Sequence, residues 1–363
     1  METMTFDINH APGNPRNSEG SFVRLADGRL MLAYTRYRGE RGGDHSCADL
    51  AAFFSCDNGR TWGNPRILVE NDAVNVMSVS LLRLADGRIA LAYARKSHIP
   101  GLETNPSVCD CRPMIRFSSD EAETWSEPVD ICRYPSSTYL VFNNDRLVQL
   151  SSGRLIVAVA HHHISADGHM AARAEGFFFL SDDGGATWRE SRECCYGPQW
   201  LTSGLREPGV VELEDGTLMA WWRTNSQCQY KAFSHDGGET WSIPAPAPEF
   251  PGPEAPLSIR RDPETRALYA VWNDWNPLRS VRFRQETSWG RTPLVIAKSL
   301  DDGRTWQNHH VIESEPDHGY CYIAMLFLGK GELLLEYCCG GGAPGQYPLQ
   351  DSRIRFLSLE ALD

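Results

Sequence analysis

The chain lacks the signals of several common protein classes. None of its eleven cysteines forms a Cys-x-x-Cys pair, which excludes zinc-ribbon and thioredoxin-type sites. It has no basic run, and its formal net charge is −12. Nucleic-acid affinity rests largely on neutralising phosphates, so no nucleic-acid partner is expected. An acidic surface is not drawn to anionic lipid either, and no apolar stretch is long enough to span a bilayer, so no membrane partner is expected. The opening residues METMTFDINH hold no apolar signal core. With so many unpatterned thiols, this reads as a cytoplasmic protein. Gly340-Gly341-Gly342 is followed by neither Lys-Ser/Thr nor a helix, so it is not a nucleotide loop. No cofactor is implied, and nothing sets an oligomeric state.

What the chain does have is repetition. The octapeptide SHDGGETW (234–241) recurs as SCDNGRTW (55–62), SSDEAETW (118–125), SDDGGATW (181–188) and SLDDGRTW (299–306). Such spacing belongs to repeat architectures. In the second copy Ala122 replaces the usual Gly.

A second repeat lies between these boxes. Two apolar, β-rich runs flank a short turn in FVRLADGRLMLAYTR (22–36), SLLRLADGRIALAYAR (80–95), RLVQLSSGRLIVAVAH (146–161), VVELEDGTLMAWWR (210–223), LSIRRDPETRALYAVW (257–272) and AMLFLGKGELLLEY (324–337). Asp-Gly and Ser-Gly between such runs predict hairpins. Each hairpin but the last is followed by a third strand that ends in a box, and a fourth strand is expected after the box. The expected unit is a four-stranded antiparallel sheet, made six times. In the sixth unit SRIRFLSL (352–359) supplies the third strand and the N-terminal TMTFDIN (3–9) the fourth, closing a ring without exposed edges. The 363 residues then form one domain.

The octapeptide is similar to the Asp-box, and the whole chain resembles the sialidase superfamily. That resemblance implies an all-β, six-bladed β-propeller. Its topology puts the hairpins and boxes on one face and the starts of first strands, ends of second strands and starts of third strands on the other. The boxes are then scaffold: Ser and Asp satisfy turn amides and Trp packs between sheets. The opposite face gathers Arg16, Glu19, Asn143, Asn144, Asp145, Glu207, Glu254 and Tyr320 from first strands. Second-strand ends add Arg36, Arg38, Arg95, Lys96, His161 to His163 and Arg223. Entries to third strands add Asp44, His45, Asp110, Arg112 and Arg291.

Sialidases use arginines to grip the sugar carboxylate, a tyrosine nucleophile with a glutamate as its base, and an aspartate as general acid and base. The resemblance implies Glu207 and Arg223 from REPGVVELEDGTLMAWWR and Arg291 from RTPLVIAKSLDDGRTW. It implies Tyr320 as nucleophile from GYCYIAMLFLGKGELLLEY, with Tyr322 second and expected on the same strand face. From AYTRYRGERGGDHSCAD it implies Asp44 as acid/base, with Asp49 second, and Arg36 or Arg38 beside it. The family's Phe-Arg-Ile-Pro opening is replaced by NPRNSEGSFVRL. Arg16 lies nearby, and Glu19 stands close to the arginine's place. Glu19 repels a substrate carboxylate unless Arg16 or Arg36 pairs with it. The implied activity is retaining exo-hydrolysis of a terminal sialic acid or related acidic sugar on a carbohydrate partner. Alternatives are a glycosidase for another sugar, a uronate lyase with His162 or His45 as base, and a non-catalytic glycan-binding propeller. In His161-His162-His163 at most His161 and His163 converge on a strand, and no metal site is assigned.

Overall fold

The computed structural model describes residues 4–102, 109–165, 168–276 and 286–362. Thr3, part of the expected closing strand, lies outside them. Alternating β-rich runs become strands. The chain opens on β1 (Thr5–Ile8), then forms an antiparallel sheet of β2 (Asn17–Arg24), β3 (Leu30–Tyr37), β4 (Ala48–Ser55) and β5 (Gly63–Val69). Next come β6 (Asn75–Arg83), β7 (Ile89–Ser97), β8 (Asp110–Ser118) and the short β9 (Val129–Asp130). They are followed by β10 (Tyr139–Phe142), β11 (Val148–Gln149), β12 (Leu155–Ile164), β13 (Met170–Ser181) and β14 (Arg189–Glu190).

The sequence predicts separate sheets here, but β6 to β14 form one nine-stranded sheet. The cause is local: the starts of β8 and β10 run side by side, and Tyr139 pairs in parallel with Cys111. Two further four-stranded antiparallel sheets follow. One holds β15 (Arg206–Glu212), β16 (Leu218–Arg223), β17 (Cys228–Ser234) and β18 (Ala245–Pro251). The other holds β19 (Ser258–Arg261), β20 (Leu268–Asn273), β21 (Leu294–Ser299) and β22 (Gln307–Glu313). The last contains β23 (Cys321–Gly329), β24 (Glu332–Cys338) and β25 (Ser352–Ser358), and β1 completes it from the other end of the chain. Thr5 to Ile8 pair with Arg355 to Ser352, so the C-terminal strand is not left as an edge.

Apolar residues fill the space between consecutive sheets. Val23, Met31 and Leu50 of the first sheet meet Val79, Leu81 and Leu91 of the next. The last sheet packs on the first through Leu334, Ile354, Phe22 and Leu32. The hairpins turn as their composition requires: Gly28 takes φ 90°, beyond the ordinary range of a residue with a Cβ.

The five octapeptides share one hydrogen-bond pattern. The Ser hydroxyl donates to the Asp carboxylate, at 2.8 Å in Ser55–Asp57 and Ser181–Asp183 alike, and accepts the N–H of the fifth residue. The Asp carboxylate also accepts the N–H and hydroxyl of the Thr. The fifth residue is left-handed throughout, including Ala122 at φ 67°, where the Cβ makes the turn costlier than Gly does. Trp241 stacks on Phe178 at 4.2 Å, and Trp306 meets Phe250 at 5.1 Å. These contacts brace the scaffold.

Candidate active site

Four first strands share one irregularity. Pairing shifts between Ser18 and Ser21 of β2, Met77 and Ser80 of β6, Arg206 and Gly209 of β15, and Cys321 and Ala324 of β23. In each, two residues face one partner residue, which defines a β-bulge. The first bulged residue is left-handed: Glu19 at φ 60°, Ser78 at 58°, Glu207 at 49° and Tyr322 at 60°. Such angles are uncommon for residues with a Cβ and are held by the surrounding sheet. All four side chains line one cavity of about 900 Å³. The repeated bulge therefore aims four equivalent positions at one space. None of the octapeptides contributes to it.

Within the cavity Tyr322 donates its hydroxyl hydrogen to Glu207 Oε1 at 3.1 Å, and Arg223 Nη1 donates to the same oxygen at 2.6 Å. Arg291 lies with its guanidinium carbon 5.5 Å from the Tyr322 ring centre and 5.3 Å from that of Trp289. Its Nη1 reaches Cys321 Sγ at 3.0 Å. Burial acts to raise the Glu207 carboxyl, but Arg223 and Arg291 outweigh it, and the group sits below its ordinary value. Burial, and then the Glu207 charge, push the Tyr322 phenol well above its ordinary value. The resting pair is a phenol beside a carboxylate, with two cations placed to stabilise a phenolate once Glu207 takes the proton.

Across the cavity Arg16 answers to two carboxylates. Its Nη2 donates to Glu19 Oε1 and its Nη1 to Asp44 Oδ1, both at 2.6 Å. Ser78 donates to the other Glu19 oxygen, and Lys96 Nζ donates to the Asp44 carbonyl at 2.7 Å. Burial raises Glu19 more than Arg16 lowers it. Burial would also raise Asp44, but Arg16 and Lys96 prevail and hold it well below the carboxylate range. Asp44 keeps about half of its side-chain surface exposed, at 56%.

Of the residues expected here, Glu207, Arg223, Arg291, Arg16, Glu19 and Asp44 line the cavity, and Arg16 does pair with Glu19. Tyr320, the expected nucleophile, does not. It is 2% exposed and packs on the Tyr337 ring within the core between the last two sheets. The bulge at Tyr322 breaks strand alternation, so Tyr320 and Tyr322 do not share a face as expected. Arg36 and Arg38 also lie off the cavity: Arg36 sits opposite Asp49 in the β3–β4 ladder, and Arg38 binds Asp49 at 2.8 Å. Arg112 is consumed by Asp110 and Asp130, at 2.6 and 3.0 Å. Asn144 does not line the cavity either. Its amide donates to the carbonyls of Gly20, at 2.8 Å, and Tyr322, at 3.0 Å, so it supports two of the bulges from beneath.

The cavity also holds Ser78, Tyr139, Arg206 and Trp289, which the sequence reading passed over, and Lys96 and His162, which it named without assigning a sialidase role. A signal for the bulged positions exists. Glu19, Ser78, Glu207 and Tyr322 each stand eight residues before the residue that precedes the hairpin glycine, Asp27, Asp86, Asp215 and Lys330. That offset selects Tyr322 over Tyr320.

The model of the BNR repeat-like domain matches residues 102–335. The chain belongs to this family, within the sialidase superfamily. It is 29% identical over 241 residues to a sialidase of Paraclostridium sordellii, a match covering 61% of this chain and 56% of that protein. The chain spans about half the length of the curated sialidases it first matches, 56% and 54%. Among solved structures, the Hadza microbial sialidase Hz136 superposes with a TM-score of 0.73 at 20% identity, over 99% of this chain and 69% of that one. NanB sialidase of Streptococcus pneumoniae gives 0.72 at 17% identity, over 99% and 70%. The chain therefore has the fold of these sialidases.

Proposed function

We propose that the chain is a sialidase-like, retaining exo-glycosidase acting on a terminal acidic sugar whose anomeric carbon carries a carboxylate. On this reading the four-strand units are six blades of a closed propeller, and the octapeptides are its five Asp-boxes. The observation that carries the function is the 3.1 Å hydrogen bond from Tyr322 to Glu207, flanked by Arg223 and Arg291. Arg223 and Arg291 grip the substrate carboxylate, which a neutral phenol approaches without the repulsion a carboxylate nucleophile would meet. Glu207 takes the phenol proton as Tyr322 attacks the anomeric carbon.

Asp44 exchanges a proton with the leaving oxygen and then with water. It is ionised in the empty site because Arg16 and Lys96 hold it so. An entering sugar carboxylate competes for Arg16, and the loss of that partner lets Asp44 take up the proton it needs. The free thiols, including the cross-strand neighbours Cys321 and Cys338, support work in a reducing compartment.

The test is a panel of fluorogenic glycosides of sialic acids, other acidic ketoses, uronates and neutral sugars, with product stereochemistry followed by proton NMR. Hydrolysis of a carboxylate-bearing ketoside with retained configuration is expected. An unsaturated product from a uronate, or turnover of neutral glycosides alone, overturns the reading.

A further inference from the structure

The triple histidine on β12 behaves as strand alternation dictates. His162 points into the cavity, with Nδ1 2.8 Å from the carbonyl oxygen of Ala171 on β13. His161 and His163 point the other way. Their rings lie 4.3 Å apart, and His161 also stands edge-on to Phe177 at 5.3 Å. Directly across the ladder from His161 is Glu175 of β13, and His163 Nε2 lies 3.1 Å from Glu175 Oε2. One ligand atom from each of the three residues lies within 4.8 Å of the other two.

From this convergence we propose that His161, His163 and Glu175 form a binding site for a divalent transition-metal ion of the zinc, nickel or copper type. Two imidazole nitrogens and one carboxylate oxygen are the donor set that borderline cations choose, whereas calcium and magnesium require six or more oxygens. Bonds of about 2.0–2.1 Å place tetrahedral ligands roughly 3.3 Å apart, so the nearest pair is already in place and His161 needs a small side-chain adjustment. His163 is 61% exposed, which leaves a path for entry and a coordination position for water. The ion would tie β12 to β13 on the strand face opposite His162. The site is thus a clamp on the face of these strands turned away from the cavity, and its existence does not depend on the glycosidase reading.

The experiment is calorimetric titration of tag-free protein with zinc chloride, alongside electron paramagnetic resonance of the copper(II) form. One equivalent of zinc and a copper signal split by two imidazole nitrogens are expected. Calcium and magnesium should give no heat. His163→Ala, at an exposed position that leaves folding intact, and Glu175→Gln should each weaken uptake sharply, and His161→Ala/His163→Ala should abolish it. Absence of zinc uptake overturns the proposal. So does undiminished uptake in the doubly substituted protein, which would assign the metal to thiols such as the exposed Cys56.

Discussion

The Tyr322 hydroxyl donates to Glu207 Oε1 across 3.1 Å, from strands of two different sheets brought together by the same kind of bulge. Tyr320, two positions earlier, is locked in the core against Tyr337. The two tyrosines are therefore separable by one matched pair of substitutions. Tyr322→Phe keeps the ring in place and removes the oxygen proposed to attack, so turnover should vanish while the melting temperature changes little. Tyr320→Phe should retain turnover close to that of the parent. Steady-state rates on the best substrate of the panel decide it, and the reverse pattern removes Tyr322 from the mechanism.

The pH profile tests Asp44. On the proposed mechanism catalysis needs Glu207 ionised and Asp44 protonated, and both carboxyls lie below their ordinary values in the free protein. Hence kcat/KM should fall as pH rises, because Asp44 gives up its proton early. Arg16→Gln removes a cation that holds Asp44 down, so the falling limb should move to higher pH. Glu207→Gln should lower kcat by roughly 100- to 10,000-fold, the range expected for loss of a general base. A falling limb unmoved by Arg16→Gln contradicts the role given to Asp44.

Much of this was legible in the sequence, and the reasons for the rest are physical. The Asp-Gly turns and octapeptides mark strand ends, so the four-stranded sheets and the β1–β25 pairing follow from counting. Glu207, Arg223 and Arg291 follow from the resemblance of their segments to the family, and they line one cavity. Tyr320 comes first by the resemblance of its segment, and strict alternation puts Tyr322 on the same face; the bulge that separates the two carries no glycine to flag it. Arg112, Arg36 and Arg38 illustrate a second limit. Residue type places a charge on a rim, but only three-dimensional partners such as Asp110, Asp130 and Asp49 show that two of these charges are already taken. The nine-stranded sheet was hidden because its joining pair, Tyr139 and Cys111, has no sequence signature.

Arg223 and Arg291 should act mainly on binding. Charge-assisted hydrogen bonds are worth about 1.5–3 kcal/mol each, so Arg291→Ala should raise KM for the acidic substrate roughly 10- to 150-fold. Lysine should restore little, because it lacks the planar fork that holds a carboxylate at two points. Arg223→Ala should lower kcat as well, since it strips Glu207 of its 2.6 Å partner. An unchanged KM in both variants contradicts carboxylate capture at this site.

Stability should carry the signature of Glu336. Its side chain is fully buried and accepts the Gly20 N–H at 3.0 Å, and burial pushes its carboxyl up to about 8. The folded protein thus keeps a proton that the unfolded chain releases near its ordinary value of 4.5. Stability is fully present below that value and declines as pH rises towards 8, by on the order of a few kcal/mol. Glu336→Gln keeps an acceptor for Gly20 and has nothing to titrate. Its melting temperature should therefore decline less between pH 5 and pH 8 than that of the parent, and an identical slope would remove Glu336 as the cause.

The most direct test of the account is capture of the covalent intermediate. A fluorinated acidic ketosyl fluoride, which glycosylates a retaining enzyme faster than it is hydrolysed, is incubated with the protein and the adduct is located by peptide mass spectrometry. The account predicts a single sugar on Tyr322, absent from Tyr322→Phe. A sugar on a carboxylate or on Tyr320, or hydrolysis without an adduct and with inverted configuration, would contradict it.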